Sequence, residues 1–97
     1  MVFEDEMIFA FHDIHPQAPV HLLLIPKKHI QSVDALESGD GAVISRLLEA
    51  ARDLARAQGV AEGGYRLLTN TNGDAGQSVG HLHFHLLGGR ALGWPPG

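Results

Sequence analysis

Three histidines at alternate positions are the feature of this chain best suited to chemistry. The protein has 97 residues and seven histidines, as many as lysine and arginine together, and three of them are His81, His83 and His85. Imidazole changes charge near neutral pH, and its unprotonated nitrogen is a nucleophile that needs no strong base to activate it. Alternation predicts a strand, residues 81–87, with the three imidazoles on one face and Leu82, Phe84 and Leu86 in the core.

A glycine-rich segment, residues 70–80, lies immediately before these histidines and contains Gly73, Gly76 and Gly80. The backbone N–H groups of such loops can form a concave site for an anion, and Asn70 and Ser78 add amide and hydroxyl donors. Beside three imidazoles, this loop favours chemistry on a phosphoryl group. Two other interpretations stay open, namely a solvated strand face rich in histidine and a zinc site of neighbouring histidines.

The pattern of apolar residues predicts the elements that must position this site. A helical period extends from Ala42 to Gln58, with Asp40 as the expected N-cap and Gly59 as the expected end. A short helical turn is expected from Ser32. Strands are expected at residues 7–11, 20–25, 65–69 and 81–87, with the last two forming a hairpin across the glycine-rich segment. Strands with one long helix predict an α+β fold with a mainly antiparallel sheet.

The predicted helix should bury one apolar face, formed by Ile44, Leu47, Leu48, Ala51, Leu54 and Ala55. Val43, Ala50 and Ala57 make its apolar sector wider than one face requires. Because a chain of this length has a modest core, we expect the surplus to lie in a homodimer interface together with the strand at 65–69.

Composition excludes several classes of function. The length fits one domain, residues 1–97, and the formal net charge of −4, with no basic cluster larger than Lys27-Lys28, argues against nucleic acid as the main partner. The chain contains no cysteine, which excludes disulfides and thiolate metal sites. It has neither an apolar run long enough to span a membrane nor a signal peptide, so a cytoplasmic location is expected.

The segment from Gly76 to Arg90, GQSVGHLHFHLLGGR, resembles the signature of the histidine triad (HIT) superfamily, in which three alternating histidines precede two apolar residues. Residues 11–14, 19–29 and 94–97 are similar to the Hint branch, the histidine triad nucleotide-binding proteins. The resemblance covers nearly the whole chain. It implies a HIT-like fold, a homodimer, a purine nucleotide ligand such as AMP or GMP, and no cofactor. It also implies hydrolysis of nucleoside phosphoramidates through a covalent nucleotidyl-histidine intermediate.

The resemblance also assigns catalytic roles to four histidines. His83 matches the nucleophile, while His81 and His85 match the histidines that orient it and bind phosphate. His21 matches a fourth histidine near the site. A histidine at position 85, where the transferase branch typically has glutamine, favours hydrolysis over nucleotidyl transfer. Two alternatives to a hydrolase remain open: a nucleotide-binding regulatory module with little turnover, and a zinc-binding interaction domain.

The remaining assignments concern the nucleotide. Asp13 matches the carboxylate that binds the ribose hydroxyls. Phe11 and Ile14 match the apolar walls of the nucleoside pocket. Contacts to the phosphate and leaving group are assigned to Asn70, Gly76 and Ser78. Trp94 matches a residue that family dimers place near the partner subunit's site. Typical members carry a leader before the position of Met1 that helps to wall the base, so weak discrimination between purines is expected here. Gly80 replaces a frequent aromatic residue, which is expected to loosen the chain before the triad.

Overall fold

The computed structural model describes all 97 residues. One antiparallel sheet of five strands, in the order β1-β2-β3-β5-β4, packs against a single α-helix. The elements are β1 Phe3–Glu4, β2 Ile8–His12, β3 Val20–Pro26, α1 Gly41–Ala57, β4 Tyr65–Leu68 and β5 Phe84–Gly88. The α+β fold with an antiparallel sheet is therefore confirmed, as is the β4–β5 hairpin. No helix in the structure combines the length and apolar character needed to cross a membrane.

The two faces of the sheet have different roles. On the face toward α1, Leu22, Leu24 and Leu86 are fully buried. The opposite face carries His21 on β3 and His85 on β5, because His85 lies directly opposite Leu23 and strand side chains alternate between faces. We call this the histidine face. The helix thus supplies the core that holds β3 and β5 in register, and their other surface is left for the site.

The buried side of α1 differs from the predicted one. Val43 and Ala50 are only 8% and 2% exposed and belong to the core, whereas Leu48 is 46% exposed. The predicted face was therefore wrong at Leu48. The exposed apolar surface of α1 that was expected to lie in a dimer interface is also smaller than predicted, because Val43 and Ala50 are buried in the core.

The ends of the helix follow local backbone chemistry. Gly59 has φ of 77°, and its N–H donates to the Arg56 carbonyl while the Val60 N–H donates to the Ala55 carbonyl. This is a Schellman ending, which favours glycine at the left-handed position, and it confirms the predicted stop. Asp40 stands at the N-cap position, but its carboxylate does not cap the helix. It is bound instead by Lys28 and by the Glu37 N–H.

Two shorter elements were also expected. The turn after Ser32 is present as a 3-10 turn, Val33–Ala35, although the Ser32 side chain does not cap it. The strand predicted at 81–87 begins only at Phe84, so His81 and His83 precede it. Leu82 is nevertheless 1% exposed, and its N–H donates to the Ile30 carbonyl. This hydrogen bond keeps the Leu82 side chain in the core, although residues 81–83 are not paired with a strand of the sheet.

Candidate active site

His21 and His85 form a hydrogen-bonded pair on the histidine face. His21 is 5% exposed, and its Nδ1 accepts a hydrogen bond of 3.0 Å from the Gln17 N–H. Its ring proton must therefore be on Nε2, which lies 2.9 Å from Nδ1 of His85. Since His85 accepts this bond at Nδ1, it carries its own proton on Nε2. The pair thus presents an N–H group of His85 to the site.

The environment of His85 lowers its pKa. Burial is the largest cause, and the neighbouring His83 and His21 lower it further, whereas Asp13 opposes them. A desolvated imidazole resists taking up a proton. His85 is therefore neutral at pH 7, in agreement with the tautomer that its hydrogen bond to His21 requires.

His83 has the bonding expected of a nucleophile. Its Nδ1 lies 2.8 Å from the carbonyl oxygen of His81. A carbonyl oxygen only accepts hydrogen bonds, so Nδ1 carries a proton, and in the neutral ring the lone pair is on Nε2. Thr69 holds the same stretch of backbone, because its hydroxyl donates a bond of 2.8 Å to the His83 carbonyl. The rings of His83 and His85 are 5.1 Å apart and meet edge to face.

His81 is oriented by a different part of the chain. Its Nε2 donates to the carbonyl of Pro26 over 2.9 Å, at the end of β3. Its ring meets that of His29 edge to face, with ring centres 5.1 Å apart. His29 itself is exposed. Nothing in the local pattern indicated this contact, since it depends on where β3 ends relative to the chain before β5.

The glycine-rich loop between β4 and β5 presents backbone and hydroxyl groups to solvent. Gly76 and Ser78 are exposed, and Asn70 is half-buried at the start of the loop. Gly76 adopts the left-handed region that favours glycine, with φ of 86° and ψ of 25°, and Asn72 has a positive φ of 65° with extended ψ. The predicted donors therefore lie on a surface that a phosphate can reach.

Gln77 fastens this loop, and sequence reasoning missed it. Its side-chain oxygen accepts from the Asn72 N–H at 2.8 Å. Its side-chain nitrogen donates to the carbonyls of Gln31 at 2.8 Å and Val79 at 3.0 Å. The Gln77 N–H also donates to the Asn72 carbonyl. One side chain thus ties both ends of the exposed turn to the segment after β3.

Asp13 and Phe11 are brought to the histidines. The Asp13 carboxylate lies 3.4 Å from Nε2 of His21, and its other oxygen accepts from the His15 N–H. Phe11 is half-buried and directly opposite Leu23, which is itself opposite His85, so all three residues share the histidine face. The predicted nucleoside contacts at positions 11 and 13 therefore adjoin the predicted phosphate contacts.

The two other residues predicted to contact the nucleotide or the partner's site, Ile14 and Trp94, are largely exposed to solvent. Ile14 is 86% exposed and Trp94 is 82% exposed. The Trp94 segment is nevertheless anchored, because Arg66 on β4 donates to the Gly93 carbonyl.

One group of side chains has the composition of a metal site. Nitrogen and oxygen atoms of Asp13, His21 and His85 lie within 4.8 Å of one another. A metal ligand needs a lone pair, yet Nε2 of His21 must carry a proton because Nδ1 already accepts from Gln17. The arrangement therefore suits a shared proton better than a cation. A cavity of about 450 Å³ between Gly59 and Arg90 contains none of these histidines.

Comparisons with known proteins define the class. The HIT domain family model matches residues 1–92, and the chain therefore belongs to the HIT family. It is 45% identical over 97 residues to an uncharacterised HIT-like protein of Synechocystis sp., covering 100% of this chain and 84% of that protein.

Solved structures give the same family. The HIT family hydrolase of Legionella pneumophila Philadelphia 1 has 53% identity and a TM-score of 0.97, over 99% of this chain and 86% of that one. The histidine triad nucleotide-binding protein of Candida albicans has 30% identity and a TM-score of 0.79, over 96% and 71%. The predicted HIT-like fold is confirmed, and the likeness to named hydrolases supports a hydrolase at this coarse level.

Proposed function

We propose that this protein hydrolyses purine nucleoside phosphoramidates through a nucleotidyl intermediate on Nε2 of His83. The observation that carries the proposal is the bond from Nδ1 of His83 to the His81 carbonyl, which in the neutral ring places the lone pair on Nε2. Such a nitrogen attacks phosphorus without prior loss of a proton. The likeness to a protein named as nucleotide-binding supports the nucleotide part of the proposal.

The first step exchanges one phosphorus–nitrogen bond for another. The Nε2 lone pair of His83 forms a bond to the α-phosphorus while the bond to the amine breaks, and the amine leaves with that electron pair and takes up a proton from water. In the second step water attacks phosphorus and releases the nucleoside monophosphate. The electron pair returns to His83 and the proton of the water goes to solvent. No metal or cofactor takes part.

The neighbouring groups stabilise the phosphoryl oxygens. In this proposal the Nε2–H of His85 donates to one oxygen, and the Gly76 and Ser78 region of the loop donates to the others. A preorganised donor of this kind typically contributes a few kcal/mol in the transition state. Asp13 accepts from the ribose hydroxyls and Phe11 contacts the nucleoside, with AMP or GMP as the product.

We also propose that two copies associate through β4 and α1. β4 is an edge strand, so its outer N–H and C=O groups have no partner strand. Tyr65 on β4 is 38% exposed and Leu48 on α1 is 46% exposed. A second copy would cover both, and its Trp94 would be available to the site of the first. Light scattering should show a dimer at micromolar concentration, and a monomer would contradict the association.

The decisive experiment detects the intermediate. Rapid mixing with an adenosine phosphoramidate, followed by intact-mass spectrometry, should show one transient nucleotidyl group on the parent protein and none on His83→Ala. The variant should still bind AMP, because the loop donors and Asp13 remain, but lose at least about 1,000-fold in turnover. His12→Ala, at an exposed position on β2, serves as the control and should behave as the parent. Turnover by His83→Ala within tenfold of the parent would overturn the assignment.

The same assay separates the two alternatives. A regulatory module would bind AMP without releasing amine from the phosphoramidate. A zinc-dependent protein would lose activity after exhaustive chelation and regain it with zinc. We expect full activity after chelation, because an imidazole nucleophile replaces a metal-activated water.

A further inference from the structure

The backbone of Gln17 is held from both sides between the histidine face and the end of the chain. Its N–H donates to Nδ1 of His21 at 3.0 Å, and its carbonyl accepts a bond of 2.8 Å from Nη2 of Arg90. The guanidinium is itself fixed, since its Nη1 donates to the Ala91 carbonyl at 2.9 Å. Hydrogen bonds therefore link Arg90 to the Gln17 carbonyl, the Gln17 N–H to His21, and His21 to His85, with the two bonds at Gln17 made by adjacent peptide groups.

The close approach of two segments makes these bonds possible. Gly89, which precedes Arg90, has φ of 94°, and a Cβ atom there would lie 2.9 Å from Cβ of Pro19. Only glycine fits both the backbone angle and the contact. The chain leaving β5 therefore runs directly against residues 16–19, and this brings the guanidinium to the Gln17 carbonyl.

The direction of the Gln17 N–H decides where two ring protons lie. With this N–H present, His21 is protonated on Nε2 and donates to His85, whose remaining proton is then on Nε2. Without it, His21 can hold its proton on Nδ1 and accept at Nε2. Nδ1 of His85 would then have to donate, and its Nε2 would become a lone pair. The N–H group offered to the ligand would be lost.

We propose that Arg90 and the backbone of Gln17 are positioning groups that fix the tautomers of His21 and His85: Arg90 holds residue 17 by its carbonyl, and the N–H of the same residue selects the tautomers. Two other groups face the rings, and neither supplies a donor to Nδ1 of His21. The Asp13 carboxylate only accepts, and at 3.4 Å from Nε2 of His21 it favours the same tautomer as the Gln17 N–H, while Nδ1 of His83 is bonded to the His81 carbonyl. The effect on rate rests on the proposed function, whereas the effect on the tautomers does not.

Substitution at position 17 tests the N–H directly. Gln17→Pro removes the N–H but keeps the carbonyl that Arg90 binds. Gln17→Ala is the matched control, because it keeps the N–H and loses only the side-chain bond to the His15 carbonyl. Nitrogen-15 NMR of the imidazoles at pH 8 should show His21 protonated on Nε2 in the parent and in Gln17→Ala, and protonated partly on Nδ1 in Gln17→Pro. Turnover of the phosphoramidate should fall about 10- to 100-fold in Gln17→Pro alone, mainly in kcat.

Substitution of Arg90 keeps the proposal falsifiable if proline at position 17 prevents folding. Arg90→Ala should populate the second His21 tautomer and lower kcat, and Arg90→Lys, which restores one donor, should reverse both effects in part. Parent spectra with the His21 proton on Nδ1, or Arg90→Ala spectra identical to the parent, would overturn the proposal. If the tautomers shift as expected but the parent does not cleave phosphoramidates, the proposed function fails and the positioning role stands.

Discussion

His21 and His85 share one hydrogen bond of 2.9 Å between Nε2 of the first ring and Nδ1 of the second. The two residues are 64 positions apart in sequence and meet because β3 and β5 are neighbours in the sheet. The bond can form only while at least one of the two nitrogens is unprotonated. Burial, which lowers the pKa of His85, therefore favours this bond.

The pKa of His85 should respond in opposite directions to two substitutions. His21 lowers it and Asp13 raises it. His21→Ala should therefore move the pKa up, toward the ordinary histidine value of about 6.5, while Asp13→Asn should move it further down. NMR titration of the ring carbons measures both. Shifts of the same sign in the two variants would contradict this account of the site.

The lowered pKa also has a consequence for stability. A group whose pKa is depressed in the folded state stabilises the fold above its unfolded pKa, here about 6.5, and this contribution is lost as the pH falls through the folded value. The free energy of unfolding should therefore decrease on acidification below about pH 6.5. His85→Gln should flatten this part of the curve, because glutamine does not titrate.

Gln77 should control ligand affinity more than the chemical step. Gln77→Ala removes three side-chain bonds that hold the exposed loop. Ordering the freed loop on binding costs about 1 to 2 kcal/mol per residue, so the Kd for AMP should rise at least tenfold. Gln77→Glu should weaken binding too, because it can still accept from Asn72 but places a charge against the Gln31 and Val79 carbonyls.

Gln31→Ala is the control for this experiment, since Gln77 binds the backbone carbonyl of Gln31 and not its side chain. Isothermal titration of AMP should give the parent affinity for this variant. Equal Kd values for the parent and Gln77→Ala would show that the loop holds its shape without the clamp.

The sequence was informative where one local pattern determines the structure. The continuous apolar run of β3, the glycine stop at position 59 and the hairpin around the glycine-rich loop each depend on residues within one segment. The approach of His29 to His81, the clamp of Gln77 and the hydrogen bonds that link Arg90 to His21 were missed, because each joins segments whose relative positions the sheet decides. The face of α1 was wrong at Leu48 for the same reason, since the choice between neighbouring apolar positions depends on how the helix lies on the strands.

Asp40 should make the free energy of unfolding depend on pH in the acidic range. It is 3% exposed, and its bond from Lys28 and, next, the bond from the Glu37 N–H hold its pKa below the ordinary value. Its contribution is therefore present above the unfolded pKa, about 3.9, and is lost as the pH falls through the lower folded value. Asp40→Asn should lower the Tm at pH 7 and make the Tm less dependent on pH between 5 and 2.

Asp34→Asn changes an exposed carboxylate in a nearby turn and is the matched control. The Tm of Asp34→Asn should vary with pH in the same way as the Tm of the parent. If the curve of Asp40→Asn also ran parallel to the parent over this range, the ion pair with Lys28 would have no part in the acid response.

Gly88, the last residue of β5, should tolerate no side chain. A Cβ atom there would lie 2.8 Å from Cβ of Val60, which is 5% exposed and belongs to the core. Overpacking of this kind costs about 1 to 3 kcal/mol, so Gly88→Ala should lower the free energy of unfolding by that amount in urea denaturation. Gly63→Ala, where a Cβ meets nothing within 4 Å, should change it by less than about 0.5 kcal/mol. Val60→Ala removes the Cγ1 and Cγ2 contacts, at 3.0 and 3.1 Å, but keeps Cβ, so the variant with both substitutions should be less destabilised than the sum of the two single variants. Simple additivity would show that the Cγ contacts do not limit the packing of β5.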